Sequence, residues 1–204
     1  MSLKGKILCI EGNIGVGKST LCHTLKERIE KEGVEVVLFP EPFNQRMLEQ
    51  FLTDQEKYAY AFQLYMLTRR QVYFVQALHH VNAGKCCIID RSLMGDYVFA
   101  RVQKELGNMT DKEFEIYQEV YDSFDIFKPD VTIFLDVEIE KIIERIIKRN
   151  RNSEDKYDIE YLKMVSKIYA EEVNKETNVN KWDWNGDWND DEIDKLILNF
   201  RNEC

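Results

Sequence analysis

Short apolar segments alternate with longer segments whose apolar residues recur at helical spacing over almost the whole chain. The apolar segments predict strands at Lys6–Ile10, Glu35–Phe39, Cys86–Ile89, Val131–Leu135 and Val179–Trp184. The longer segments predict helices at Ser19–Lys31, Gln55–Asn82, Met94–Leu106, Asp111–Phe127, Glu138–Asn150, Ile159–Glu176 and Asp190–Asn202. This alternation is typical of an α/β domain, so we expect a five-stranded parallel sheet flanked by helices.

A phosphate-binding loop follows the first predicted strand. Gly12, Gly17, Lys18 and Ser19 occupy the fixed positions of the P-loop pattern, with a strand before the loop and a helix after it. Glycine allows positive φ and close approach, so successive backbone N–H groups can point at an anion. Lys18 would then reach the β- and γ-phosphates of a nucleoside triphosphate, and the Ser19 hydroxyl would bind Mg²⁺. The alternative is an ordinary glycine-rich turn, which the complete pattern in this context disfavours.

Composition narrows the classes of partner. The 204 residues suit one domain, 1–204, and the net charge of −9 disfavours a nucleic-acid polymer, whose binding needs a basic face. The five cysteines lack metal-ligand or disulfide spacing, so we expect reduced thiols in a cytoplasmic setting. There is neither a signal-peptide pattern nor a long apolar run, and we therefore expect a soluble protein without a membrane partner.

Charged residues follow several predicted strands, where a parallel sheet of this type binds ligands. Glu41, Asp90, Arg91 and Asp136 stand at these positions, and prolines on both sides of Glu41 restrict its backbone. Phosphoryl transfer needs a carboxylate near the acceptor hydroxyl, an acidic group near the metal and cations near the developing charge. The structural alternatives are that Glu41 caps a helix and that Asp90 and Arg91 form an internal ion pair.

A basic cluster follows the fourth predicted strand. Arg145 and Arg149 are four residues apart on one helix face, and Arg151 lies just beyond them. Such arginines can bind phosphates bidentately and close over ATP as part of a lid, here at about residues 145–158. The polar stretch Asn150–Asp158 is the candidate mobile loop. A solvated charged surface is the alternative.

These motifs together resemble those of the deoxynucleoside kinases, in the same order along the chain and over residues 5 to about 165. The matching segments are Glu11–Thr20, Glu41-Pro42, Phe62-Gln63 with Arg70, Asp90-Arg91-Ser92 with Asp96, and Arg149–Asn152. The resemblance implies a P-loop kinase fold with a helical lid. It also implies nucleotide salvage by Mg²⁺-dependent transfer of the ATP γ-phosphate to the 5′-hydroxyl of a deoxyribonucleoside.

The resemblance assigns roles to individual residues. It makes Glu41 the base that takes the hydroxyl proton, Arg91 the group that holds the 5′-oxygen and the transferred phosphate, and Asp90 a partner of Ser19 at Mg²⁺. Lys18 completes the catalytic set. The ATP-binding residues would be Gly12, Asn13, Gly15, Gly17, Lys18, Ser19, Thr20, Arg145, Arg149 and Arg151.

The same resemblance places the nucleoside. Gln63 would read the base, Phe62 would stack on it, and Arg70 with Asp96 would surround it, which favours deoxycytidine, deoxyadenosine or deoxyguanosine over thymidine. The tyrosine that binds the ribose 3′-hydroxyl in relatives would fall on Leu52, and Glu154 matches the lid glutamate that also holds this hydroxyl. An amphipathic helix with a core phenylalanine is the structural alternative.

Two other functions remain open at this level. A nucleoside monophosphate kinase of the thymidylate kinase type shares the P-loop, the Asp-Arg pair and the lid. A GTP-binding switch protein is suggested by Asn180–Asp183, which fits a guanine-reading pattern, although a second GTPase pattern overlaps it at Asp183. Relatives are commonly homodimers through the region that corresponds to residues 92–128, so the resemblance implies a dimer.

Overall fold

The structure is a computed structural model that describes residues 2–124, 128–149, 158–186 and 188–203. The strands are β1 (Ile7–Glu11), β2 (Val36–Phe39), β3 (Cys86–Asp90), β4 (Val131–Asp136) and β5 (Val179–Asp183). The helices are α1 (Lys18–Lys31), α2 (Gln45–Thr53), α3 (Gln55–Asn82), α4 (Leu93–Glu105), α5 (Asp111–Asp122), α6 (Ile139–Arg149), α7 (Ile159–Val173) and α8 (Asp190–Glu203).

The five strands form one parallel sheet in the order β2-β3-β1-β4-β5. Each strand end agrees with its predicted position to within one residue. The β1–β3 register pairs Ile10 with Asp90, which brings the start of the P-loop beside the end of β3. The predicted α/β fold with a five-stranded parallel sheet is therefore confirmed.

Both faces of the sheet are covered, which explains why the central strands are almost entirely apolar. Leu8 and Ile10 of β1 face a cluster that includes residues of α1 and α8. Ile7 and Cys9 face the opposite way, against α3. Cys9, Cys22, Cys86 and Cys87 are buried free thiols, as predicted. In the described part of the chain, every helix falls short of the length and apolarity that crossing a bilayer requires.

Helix α2 is absent from the predicted elements. The Asn44 side chain caps it by accepting a hydrogen bond from the backbone N–H of Met47 at 3.1 Å. Its apolar residues, among them Leu48 and Phe51, follow helical spacing, but the segment is short and Asp54 separates it from α3 by a single residue. The predicted ends of two other helices were also too late, because α5 ends at Asp122 and α7 at Val173.

Candidate active site

A cavity of about 730 Å³ lies beyond the carboxyl ends of β1, β2 and β3. The P-loop and the start of α1 form one side of it. The loop after β2, the helices α2 and α3 and the first turns of α4 form the other side. Because β1 lies between β3 and β4 in the sheet, the cavity occupies the position where ligands bind in open parallel sheets.

The P-loop has the backbone that its sequence predicts. Gly17 precedes α1 with φ of 100°, and no side chain caps the amino end of this helix. Gly12 has φ of 147°, and a Cβ there would lie 3.1 Å from the Leu135 carbonyl oxygen. Gly17 and Lys18 line the cavity. The backbone N–H groups at the amino end of α1 are therefore available there to bind a phosphate group.

Lys18 is buried in the cavity wall. Its Nζ donates a hydrogen bond to the Asn13 carbonyl oxygen at 2.8 Å. Burial and the nearby Arg91 lower the pKa of Lys18 to about 8, against the opposing effect of Asp90 and Glu41. An anionic ligand beside this ammonium group would favour its charged form.

Ser19 and Asp90 form a pair of oxygen donors. Ser19 Oγ donates to Asp90 Oδ2 at 2.6 Å. Asp90 Oδ1 is buried, and no hydrogen-bond partner for it exists among the described residues. Hydroxyl and carboxylate oxygens are the ligands that Mg²⁺ prefers, and Mg²⁺ usually takes one or two protein ligands together with phosphate and water. The predicted residues therefore fit this ion, even though the described residues contain no cluster of three or more acidic, His or Cys ligands.

Glu41 lies between two arginines. Its Oε1 accepts from Arg70 Nη2 at 2.8 Å and from Arg91 Nε at 3.0 Å. The Glu41 side chain is 40 % exposed toward the cavity, whereas Arg70 and Arg91 are almost fully buried. Burial raises the pKa of Glu41, but Arg91, Arg70 and Lys18 outweigh it and lower the pKa to about 2. The Glu41 side chain is therefore ionised at every pH at which the folded protein would be assayed.

Arg91 has an unusual backbone conformation. Its φ is 74°, the one positive value found at a non-glycine residue within the described ranges. Its N–H donates to the Ile10 carbonyl at 3.0 Å, and its carbonyl accepts from Arg70 Nη1 at 2.9 Å. Such a backbone costs about 1–3 kcal/mol and persists only where its surroundings hold it. Arg91 adopts this conformation in the cavity wall, where its side chain also bonds Glu41.

Aromatic and polar groups share the far end of the cavity. Phe62 stacks on Phe51 with ring centroids 4.7 Å apart and an interplanar angle of 8°. Gln63 is buried next to them, and Arg70 Nε lies 2.8 Å from Asp96 Oδ2. Burial raises the pKa of Asp96 to about 6, although the charge of Arg70 opposes this shift. Arg70 and Asp96 thus form a buried ion pair in the cavity lining, and the polar edge of a ligand at this end of the cavity would lie beside that pair.

Two predicted residues, Arg145 and Asn13, have contacts that limit their roles. Arg145 lines the cavity, but its guanidinium donates to the carbonyls of Val16, Trp184 and Gly186 at 2.7–3.2 Å and so joins the P-loop to the segment after β5. The Asn13 side chain points to α7, where Nδ2 donates to the Leu162 carbonyl and Ser166 Oγ, so Asn13 can offer a phosphate only its backbone. Thr20 lines the cavity as expected.

Several other predicted positions lie outside the cavity or outside the described residues. Leu52 packs into an apolar cluster, while its neighbours Leu48 and Phe51 line the cavity. Asp136 lies near the P-loop as expected, in a small separate pocket with Asn13 and Val16, but it is exposed and does not line the cavity. Asn180–Asp183, the candidate guanine-reading segment, lies in the edge strand β5. Arg151 and Glu154 lie outside the described residues, as does the side chain of Arg149.

Sequence reasoning missed two buried residues of the site, Glu11 and Tyr169. Glu11 ends β1, and its Oε1 accepts from Ser92 N at 2.6 Å, Ser92 Oγ at 2.7 Å and Gly95 N at 3.2 Å, which ties α4 to the P-loop. Tyr169 of α7 contacts Arg91. An acidic residue that ends an apolar strand was a usable signal for Glu11. Tyr169 had none, because it reaches the site from far along the chain.

Comparison with known proteins agrees with this geometry. A sequence profile described as deoxynucleoside kinase matches residues 8–202. Among curated relatives, a deoxyadenosine kinase of Dictyostelium discoideum is 33 % identical over 83 % of this chain and 67 % of its own length. A deoxyguanosine kinase of the same organism is 34 % identical over 95 % of this chain and 68 % of its own.

The likeness extends to solved structures. A structure of the deoxyadenosine kinase of M. mycoides with the products dCMP and a flexible dCDP is 27 % identical, covers 97 % of this chain and 100 % of that chain, and has a TM-score of 0.80. The profile match spans nearly the whole chain. The matched residues include the P-loop, Glu41 with its two arginines, and the aromatic end of the cavity. The chain therefore belongs to the deoxynucleoside kinase family and is a phosphotransferase.

Proposed function

We propose that this enzyme transfers the γ-phosphate of ATP to the 5′-hydroxyl of a deoxyribonucleoside, with deoxyadenosine, deoxycytidine or deoxyguanosine preferred over thymidine. The observation that carries the proposal is the position of Glu41. Its carboxylate is held by Arg70 and Arg91 within one cavity that has the P-loop on one side and an aromatic slot on the other. A sugar hydroxyl beside Glu41 would thus lie between the nucleobase, at the aromatic end of the cavity, and the polyphosphate, at the P-loop.

The residues divide the reaction between them. As the bond from O5′ to the γ-phosphorus forms and the bond from that phosphorus to the ADP oxygen breaks, the hydroxyl proton passes to Glu41. With a pKa of about 2, Glu41 is ionised beforehand, and it accepts the proton only as the attacking oxygen loses its electron density. Arg91 and Lys18 are placed to stabilise the charge on the transferred group. Arg70 keeps Glu41 in position.

Mg²⁺ is part of the proposal, with Ser19 and Asp90 as the residues that hold it. When bound, the ion would neutralise charge on the phosphate oxygens. The unpartnered Asp90 Oδ1 supports this assignment, because a buried carboxylate oxygen without a partner is otherwise costly.

Removing the Asp90 charge tests the metal assignment. We expect Asp90→Asn to raise the Mg²⁺ concentration for half-maximal activity by about tenfold, the low end of what loss of a metal-site group produces. Excess Mg²⁺ should restore part of kcat. Asp136→Asn is the matched control, because Asp136 also ends a strand of the sheet, β4, but does not line the cavity. Equal Mg²⁺ requirements in all three proteins would remove Asp90 from the site.

The base preference rests on Gln63, Arg70 and Asp96. A carboxylate accepts hydrogen bonds only, so Asp96 suits the exocyclic amine of adenine, cytosine or guanine, and it repels the carbonyl oxygens of thymine. Gln63 can both donate and accept along a base edge, and Phe62 offers a ring for stacking. The relatives named as deoxyadenosine and deoxyguanosine kinases support the same preference.

The pKa of Asp96 predicts how recognition depends on pH. Because this pKa is raised to about 6, the carboxylate is ionised at pH 7 and mostly protonated at pH 5. We expect kcat/KM for deoxyadenosine to fall by about tenfold between pH 7 and pH 5, since the fraction of ionised Asp96 falls by that factor. Steady-state kinetics at fixed ionic strength measure it. Asp96→Asn should be less active but lack this acid limb, and the same limb in that variant would exclude Asp96 as its origin.

A radiolabel-transfer screen tests the function itself. The protein is incubated with ATP labelled at the γ-phosphate, Mg²⁺ and each of the four deoxynucleosides or their 5′-monophosphates, and the products are separated chromatographically. We expect labelled 5′-monophosphate from the amine-bearing nucleosides. Transfer to monophosphates alone would instead support a kinase of the thymidylate kinase type, and the absence of any transfer would overturn the proposal.

Family membership supports three further expectations for the same enzyme. We infer a role in nucleotide salvage, a cytoplasmic location and a homodimer formed through residues 92–128. Light scattering coupled to size-exclusion chromatography tests the dimer, for which the expected mass is twice that of the 24.3 kDa chain.

A further inference from the structure

A buried polar chain links Arg91 to the end of β1. Arg91 Nη1 donates to the Tyr169 hydroxyl and, at 3.1 Å, to the Gly12 carbonyl oxygen. The Tyr169 hydroxyl lies 2.9 Å from Glu11 Oε2, to which it donates. Glu11 and Tyr169 are 0 % exposed and Arg91 is 2 % exposed. Arg91 is therefore held by a tyrosine from α7 as well as by Glu41.

The donors and acceptors in this chain leave little freedom. A tyrosine hydroxyl has one proton, and an arginine has no acceptor. Since Glu11 Oε1 already accepts from Ser92 and Gly95, its Oε2 remains to accept the Tyr169 proton. The lone pairs of the hydroxyl then face Arg91. Glu11 thus orients Tyr169, and Tyr169 orients the guanidinium.

Two rings restrict the same group further. The Arg91 guanidinium carbon lies 4.6 Å from the centroid of the Phe99 ring and 5.9 Å from that of Tyr169. Contacts of this kind attract the cation to the ring face and are strongest where water is excluded. They define where the guanidinium lies, while the hydroxyl of Tyr169 defines which nitrogen points toward α7.

We propose that Tyr169, oriented by Glu11, is a positioning residue for Arg91 in phosphoryl transfer. The inference rests on the proposed function, in which Arg91 holds the transferred phosphate. Glu41 alone is an unreliable anchor for that purpose, because the incoming 5′-hydroxyl must share its carboxylate. Tyr169 holds Nη1 independently of the substrate, so Arg91 keeps its orientation throughout the reaction. Contacts between described residues use only Nε and Nη1, which leaves Nη2 for a phosphate oxygen.

The central experiment removes only the hydroxyl. We expect Tyr169→Phe to lower kcat by about tenfold, the loss that an unmade hydrogen bond to a charged group typically causes, with the nucleoside KM within about twofold. Tyr97→Phe is the matched control. It removes a hydroxyl that also accepts a side-chain hydrogen bond, from Gln118 Nε2 at 3.3 Å, but lies outside the cavity. The control should retain full activity, and unchanged kcat in Tyr169→Phe would overturn the proposal.

A double-mutant cycle separates positioning from a general loss of folded protein. In an Arg91→Lys background the nitrogen that Tyr169 holds is gone, so adding Tyr169→Phe should lower kcat by less than about twofold. The same loss of kcat in both backgrounds would mean that Tyr169 acts only through stability and would overturn the inference.

Binding supplies a readout that does not depend on turnover. By calorimetry, Tyr169→Phe should weaken binding of the 5′-monophosphate of the best substrate by about tenfold and change binding of the nucleoside by less than about twofold, because only the monophosphate carries the phosphate oxygens that pair with the charge of Arg91. Equal weakening of both ligands would contradict a role through Arg91. Wild-type protein that phosphorylates no nucleoside in the screen would refute the proposed function, whereas active wild type with an unaffected Tyr169→Phe refutes only this inference.

Glu11→Gln provides a second variant if Tyr169→Phe does not fold. The glutamine amide can still accept from Ser92 and Gly95, but its NH₂ group would face the Tyr169 hydroxyl, whose proton then loses its acceptor. We expect the same pattern, a fall in kcat and in monophosphate affinity with nucleoside affinity retained. Full activity of a folded Glu11→Gln variant would contradict the orienting role of Glu11.

Discussion

Replacement of Glu41 by glutamine should lower kcat by a factor of about 10²–10⁴, the contribution usual for a positioned general base, while KM for the nucleoside changes by less than about threefold. The substitution keeps the shape of the side chain and one oxygen to accept hydrogen bonds from Arg70 and Arg91. It removes the charge that takes the hydroxyl proton. Steady-state kinetics with the best nucleoside measure both constants.

The control for this variant is Glu49→Gln on α2. Glu49 is a surface glutamate that accepts a hydrogen bond from Gln45 at 2.7 Å and does not line the cavity. Its substitution should leave both constants unchanged. If Glu41→Gln retained wild-type kcat, or lost activity only through a raised KM, Glu41 would be a binding group and not the base.

The second large expected effect concerns which nucleobase the enzyme selects. We expect the double variant Arg70→Met with Asp96→Ala to raise the ratio of thymidine turnover to deoxyadenosine turnover by about 10–100-fold, because sites that hydrogen-bond a polar substrate group discriminate strongly against analogues that lack it. Both residues must change together. Removal of Arg70 alone would leave the buried Asp96 carboxylate without its cation, 2.8 Å away, and that is costly.

The same double variant should be less active with every nucleoside. Arg70 also donates to Glu41 and to the carbonyls of Asp90 and Arg91, so its loss loosens the catalytic groups. The ratio of kcat/KM values is therefore the informative quantity. Arg69→Met is the control, since Arg69 is the neighbouring exposed arginine of α3 and packs over the Tyr73 ring at 5.7 Å. An unchanged ratio would show that Arg70 and Asp96 do not select the base.

The parts of the molecule that follow local rules could be predicted. The P-loop is one continuous segment whose glycines, lysine and serine act within a few residues of one another, so its pattern determines both conformation and chemistry. The central strands β1, β3 and β4 were placed to within one residue because central parallel strands are buried on both faces and become continuous apolar runs. Helix α2 was not predicted from the sequence because it is short and joins α3 almost directly.

The position of each charged side chain was harder to predict from the sequence. Strand ends suggested Glu41, Asp90, Arg91 and Asp136 as neighbours of the P-loop, but Asp136 lies in a separate small pocket and does not line the cavity. Strand order and local side-chain direction decide this, and neither is encoded near the residue. Arg145 shows the same difficulty, since its basic cluster suggested a free phosphate ligand while its guanidinium bonds three backbone carbonyls.

The sequence by itself determined the parallel α/β architecture and the phosphate-binding loop, and it singled out Glu41, the carboxylate between two prolines. Each of these depends on residues close together in the chain. Only the tertiary structure decided that Arg70 and Arg91 share one oxygen of Glu41, that Arg91 adopts a left-handed backbone, and that Glu11 and Tyr169 support it. These contacts join residues as far apart as Glu11 and Tyr169, and packing of α3, α4 and α7 around β1 creates them. Long-range contacts of this kind leave no periodic signal in the sequence, since each participant is one residue among many on its own helix or strand.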